Sequence, residues 1–163
     1  MRTLFFLFPA LLLAGCYTFN PKAVPSNIKT LEIPVVGNRT LEPALSEQVT
    51  KALTDRFISD NTMKVVQKNA DAVLEGEVTG YQDRVIGFNS SRQANEYLVI
   101  LTMKLALRDR TKNKEIWSSE AVLGRSSYFL ESAAGGVNSE TDARALAIKQ
   151  VADFAISRTV EGW

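Results

Sequence analysis

From Glu96 to Phe129 the chain runs out, turns and runs back, and this stretch limits the fold more than any other. Tyr97, Val99, Leu101, Met103, Leu105 and Leu107 take every second position, with Thr102, Lys104 and Arg108 between them. A period of two is the mark of a strand with one buried face. The following "TKNK" reads as a hairpin turn in which Asn113 suits a positive φ. "EIWSSEAVLGRSSYF" then returns, with Trp117, Ala121 and Leu123 expected inward. A long hairpin with one apolar face must be covered by another layer.

Two segments have the period to cover it. Leu45, Val49, Ala52, Leu53 and Phe57 recur at helical spacing opposite Glu47, Lys51, Asp55 and Arg56. Thr40 is the expected N-cap, Pro43 falls in the first turn, and the helix should stop between Ser59 and Asn61. Ser139 with Asp142 forms a capping box ahead of a last helix whose inner face reads Ala143, Leu146, Ala147, Val151, Phe154 and Ala155. Its alanines allow close approach to a sheet. Further strands are expected in "IKTLEIPVV", closing near Pro34, in "MKVVQ" from Met63, and in "DAVLEGEVTGYQDRVIGF". Gly76 and Gly80 in the last of these mark bulges or tight packing. "LESAAGGVNS" is expected to be a loop. The predicted fold is α+β, a two-layer sandwich. It has one mostly antiparallel sheet of about four to five strands, with two helices packed on one face.

The amino terminus has a different character. Arg2 precedes an apolar run, Leu4 to Leu13, that fits a secretory signal and falls short of the ~20 residues a helix needs to cross a bilayer. The run ends in Leu13-Ala14-Gly15-Cys16, which resembles the lipobox of bacterial lipoproteins. That resemblance implies a signal peptide over 1–15 and a diacylglyceryl and an N-acyl lipid on Cys16. No other cofactor is expected. Residues 16–27, with two prolines, read as a lipidated tether, and 28–163 as a single domain. Each buried methylene adds about 0.8 kcal/mol, so several acyl chains hold the protein at a membrane where one would not. Residue 17 is Tyr rather than Asp, which in enteric lipoproteins implies the outer membrane, on its periplasmic side.

Composition excludes more than it selects. The chain has no histidine and one cysteine, so the commonest general acid and base is missing, and so are an internal disulfide and a Cys/His zinc cluster. Nineteen basic against 18 acidic residues argue against a nucleic-acid partner bound through bulk charge. Glu75 and Glu77 share a strand face, yet nothing around them supplies a third ligand, and they read as a solvated face. No catalytic residue and no metal ligand is assigned. Arg108, Arg110, Lys112 and Lys114 gather at the hairpin tip, with Arg84, Arg92 and Arg125 near other strand ends. Arg110, Lys112 and Lys114 are the candidates for holding a phosphorylated lipid headgroup. Hairpin turns are also charged simply because they are wet. Trp163 either packs on the domain or meets a partner.

The lipobox is followed in order by "VPSNIKTLEIPVVGNRTLEPALSEQVTKALTDRFISDNTMKVV", "ADAVLEGEVTGY", "LRDRTKNKEIW" and "ISRTVEGW". With that order and spacing the chain resembles the LPS-assembly lipoprotein family (LptE). The resemblance implies a non-enzymatic outer-membrane lipoprotein with a two-layer α+β domain. Such proteins plug and help assemble the β-barrel that inserts lipopolysaccharide into the outer leaflet, and they bind lipopolysaccharide themselves. The alternative is another outer-membrane lipoprotein adaptor, of the secretion-pore or cell-wall-synthase-activator type.

Overall fold

The computed structural model describes residues 24–130 and 137–160, Ser26 excepted. Cys16, the lipobox residues Leu13, Ala14 and Gly15, the tether as far as Ala23, positions 131–136 of the expected loop, and Trp163 lie outside the described residues.

The described chain forms strands β1 (Thr30–Glu32) and β2 (Gly37–Asn38), helix α1 (Leu45–Asp60), and strands β3 (Lys64–Val65), β4 (Ala72–Phe88), β5 (Ala94–Asp109) and β6 (Lys114–Phe129). Helix α2 (Glu140–Val160) follows. One sheet runs β3-β1-β4-β5-β6, with β2 also alongside β4. The α+β sandwich with two helices is therefore present, on a sheet of six strands. The three long strands are antiparallel, whereas β1 and β2 pair parallel to β4, and β1 parallel to β3. The parallel pairs follow from α1, which carries the chain back across the sheet before β3 begins.

β5 buries Val99, Leu101, Met103, Leu105 and Leu107 as its alternation predicts. β6 departs from its pattern. A bulge opposite the Met103–Leu105 step inserts an extra residue, so the inward phase passes from Trp117 to Val122. Ala121 and Leu123 are on the outside. A slip of one residue exchanges the faces of everything that follows it. In β4, Gly80 sits at a bulge, and a Cβ on Gly76 would lie 3.1 Å from Leu105 and 3.3 Å from Val36. Both expectations for these glycines therefore hold.

α1 buries Leu45, Val49, Leu53 and Phe57. It ends on Asn61 in the left-handed region (φ 58°), whose N–H donates to the Phe57 carbonyl at 3.2 Å. Its start differs from expectation, because Ala44 is the N-cap and supplies no side-chain bond. Thr40 belongs to the turn before it, donating to Asn38 Oδ1 at 2.7 Å and accepting from the Glu42 N–H at 3.3 Å. Ser139 does cap α2: its Oγ accepts from the Asp142 N–H at 3.1 Å. The inner face of α2 includes Ala143, Ala147, Val151 and Ala155 as expected, but Leu146 and Phe154 are exposed while Ile148, Ala152 and Ile156 are buried. α2 lies against both the sheet and α1, so its buried arc is wider than one amphipathic stripe and turned toward α1. Arg56 on α1 meets Asp153 on α2 at 2.6 Å at the rim of that contact.

Candidate functional site

The β5–β6 turn is built around a buried carboxylate. Asp109, 2% exposed, accepts from the Thr111 hydroxyl at 2.6 Å and from the N–H groups of Thr111 and Lys112 at 2.8 and 3.0 Å. Asn113 takes φ 50°, as the turn requires. The Thr111 hydroxyl, outweighing the opposing effect of desolvation and aided by the two N–H groups, holds the Asp109 carboxyl below its usual range. Such a depressed group contributes its stability above the unfolded pKa and loses it as pH falls through the folded one. Asp109→Asn keeps an acceptor but removes the charge. The stability gap between wild type and this variant should be constant above roughly pH 5 and close progressively below it. Urea melts across that range check this, and a gap indifferent to pH would remove the carboxylate from the explanation.

Only two of the three predicted basic residues are left available by this turn. Arg110 meets Glu32 on β1 at 2.8 Å, and its N–H donates to the Asp71 carbonyl at 2.8 Å, so it fastens the tip to the fold. Lys112 and Lys114 are exposed, and neither forms an ion pair among the described residues. Arg108, within β5, meets Glu75 at 3.2 Å on the sheet face away from the helices.

The structure also shows where the tip sits. Asp71 accepts from the N–H groups of Lys29 and Thr30 at 2.9 and 3.0 Å and from the Thr30 hydroxyl at 2.9 Å. The Lys29 N–H leads the effects that keep its carboxyl below the usual range. Asp71 thus joins the start of β1 to the hairpin tip, and the basic tip lies at the end of the domain where β1 begins. A cavity of about 320 Å³ at this end is lined by Val24, Ile28, Met63 and Val160, among others. No local pattern announces this neighbourhood, since it depends on β1 pairing with β4 across some forty residues.

Glu75 and Glu77 occupy the sheet face away from the helices, where each carboxylate faces a guanidinium: Glu75 that of Arg108, and Glu77 that of Arg39 at 2.6 Å. Lys104 and Glu120 pair on the same face. Apart from Arg39, these side chains line a shallow, open depression on this face. Among the described residues no three His, Cys, Asp or Glu side chains converge as metal ligands.

A cluster missed in the sequence lies at the start of α2. The Arg144 guanidinium is 5.0 Å from the centre of the Tyr81 ring, with Nε 3.1 Å from the phenol oxygen. It also meets Glu140 at 2.7 Å and Glu42 at 3.3 Å, and Tyr81 donates to Glu140. Burial first, and the Glu140 carboxylate second, push the Tyr81 hydroxyl well above its usual range. The cluster joins β4, α2 and the segment before α1. The i, i+4 spacing of Glu140 and Arg144 was its only sequence signal.

Comparison with known proteins adds to this geometry. The family described as LptE, lipopolysaccharide-assembly, matches residues 28–159. No curated protein matches the chain in sequence. Among solved structures, the hypothetical protein CT253 from Chlamydia trachomatis is similar with a TM-score of 0.56 and 12% identity, over 83% of this chain and 97% of that one. PelC from Paraburkholderia phytofirmans, solved as a dodecamer, is similar with a TM-score of 0.52 and 15% identity, over 80% and 90%. A minor lipoprotein from Acinetobacter baumannii gives 0.50 and 20%, over 85% and 94%. At such identities the likeness is one of fold.

Proposed function

The chain belongs to the lipopolysaccharide-assembly (LptE) family, and from that premise we propose that it is an outer-membrane lipoprotein, held by lipid on Cys16 with its domain on the periplasmic side. It plugs and helps assemble the β-barrel that inserts lipopolysaccharide into the outer leaflet, binds lipopolysaccharide itself, and performs no bond chemistry. The observation that carries this reading is the family match from residue 28 to 159, which spans every strand and all but the end of α2. Two features of the surface support it. The helix-free sheet face carries three charge pairs, Arg39–Glu77, Lys104–Glu120 and Arg108–Glu75, which suit contact with the polar inner wall of a barrel. Lys112 and Lys114 stand exposed at the tip, where ammonium groups suit phosphate oxygens.

Purification from native membranes through a carboxy-terminal tag, with mass spectrometry of the co-purified proteins, tests the central claim. A large β-barrel recovered in near-equal amount is the expected result. A secretion pore or a cell-wall synthase in its place would overturn it.

Two variants test the finer parts. Cys16→Ser should abolish lipid labelling and move the protein out of the membrane fraction, since the anchoring contribution of about 0.8 kcal/mol per methylene disappears. Normal labelling in that variant would refute the anchor. Lys112→Glu with Lys114→Glu should weaken lipopolysaccharide binding by about tenfold or more, because each lost charge-assisted bond is worth roughly 1.5–3 kcal/mol. The circular-dichroism spectrum should be unchanged. Unaltered binding would mean that the tip is merely solvated.

A further inference from the structure

The cavity of about 320 Å³ lies where three segments of the chain meet at the end of α2. Val24 and Ile28 come from ahead of β1, Thr62 and Met63 from between α1 and β3, and Thr159 and Val160 from the last turn of α2. Ile28 and Met63 belong to the buried core, and Val24 and Val160 pack against it, so the wall is largely apolar and continuous with the interior. An engineered apolar cavity of roughly 150 Å³ already accepts a benzene ring, so this one has room for an indole.

The chain itself brings an indole to the rim. Val160 lines the cavity and closes α2, and Glu161, Gly162 and Trp163 follow it. Three residues span at most roughly 11 Å, so Trp163 stays within reach of the cavity. A glycine just past a helix is a common stop signal. In the left-handed conformation it turns the chain back, and an apolar residue directly after it packs against the last turn of the helix. Gly162 and Trp163 stand in those two positions.

Other occupants have less to gain. An acyl chain on Cys16 is already surrounded by hydrocarbon in a bilayer, so moving into an apolar pocket removes no further surface from water. A free ligand loses translational and rotational freedom on binding, whereas Trp163 is attached to the wall. A buried indole N–H needs an acceptor. Two kinds are at hand: the Thr62 hydroxyl, whose own proton goes to Asp60, and the last carbonyls of α2, which have no partner inside the helix.

We propose that the Trp163 side chain folds back from the end of α2 into this cavity and closes it over Ile28 and Met63. The segment that leads into β1 is then clamped to the last helix by a side chain from beyond that helix. The proposal needs neither lipopolysaccharide nor a barrel.

Two measurements on the full chain test it. The chain has two tryptophans, so Trp117→Phe leaves Trp163 as the sole indole. Its emission should lie well to the blue of free tryptophan, and acrylamide should quench it several-fold less. The second measurement uses the wild-type chain, made with a photoreactive diazirine analogue of methionine as a mixture of isotopically heavy and light copies. Irradiation should join position 63 to residue 163, with both halves of the link carrying the same label. Trp163→Ala should abolish that link and leave the circular-dichroism spectrum unchanged. Emission and quenching like those of free tryptophan would overturn the proposal. So would links from position 63 only to other residues or to lipid, and so would links between heavy and light copies, which assign the cavity to a second chain. The crosslink needs no variant, so it decides the matter even if Trp117→Phe fails to fold.

Discussion

Gly124→Ala should cost the domain about 3 kcal/mol, the upper end of what overpacking a core usually costs. For a domain of this size that corresponds to a fall in Tm of roughly 6–12 °C. A Cβ at this position would lie 2.7 Å from the Ala147 carbonyl carbon and 3.1 Å from its Cα, and its nearest neighbour is the Ala147 carbonyl oxygen. All three are backbone atoms of α2, so no rotamer change relieves the clash. The helix must lift from β6 as a unit. Lifting it also strains the Gln150 bonds to Arg125, one residue along the strand. Gly37→Ala is the matching control, since its Cβ would meet the Glu77 side chain at 3.4 Å and the Gly76 carbonyl oxygen at 3.7 Å, both ordinary contacts. Urea midpoints of the two variants decide the matter. Equal, small effects would mean that α2 is not seated where β6 presents Gly124.

Trp117→Ala should be of similar or greater size, about 3–5 kcal/mol. Trp117 is buried in the core where β6 faces the end of α2, with the Phe154 ring set edge-on at 6.5 Å. Its indole N–H donates to the Thr159 hydroxyl at 3.3 Å, and that hydroxyl donates to the Ala155 carbonyl at 2.6 Å. Truncation opens a cavity and strips an acceptor of its donor. Trp117→Phe separates these effects, because it fills most of the space and loses only the bond. Its expected cost is about 0.5–1.5 kcal/mol. A phenylalanine variant as damaged as the alanine one would make the hydrogen bond, not the packing, the dominant contribution.

These two sites show how much was legible in advance. The alternation of its own strand places Trp117 inward, and the alanines of α2 permit close approach. Gly124 was not singled out, because nothing within five residues of it reveals which helix atom will be its neighbour. The same limit applies to the tip. Its charge and its turn were plain from "RDRTKNK", yet sequence treated Arg110, Lys112 and Lys114 as equals. The fold separates them by bringing Glu32, 78 residues away in sequence, within 2.8 Å of Arg110.

Sequence alone determined what local physics controls: period two in β5, helical period in α1 and α2, the Ser139 cap, the left-handed Asn113, and an α+β sandwich assembled from them. These depend on neighbours within a few positions, so the chain carries them wherever it is. The tertiary structure decided what depends on which strands meet. It set the parallel pairing of β1 and β2 with β4, the bulge that turns Ala121 and Leu123 outward, and the place of the basic tip beside the start of β1. Each of those rests on contacts between residues far apart in sequence, and their side-chain periodicity is the same whether or not a partner strand is present.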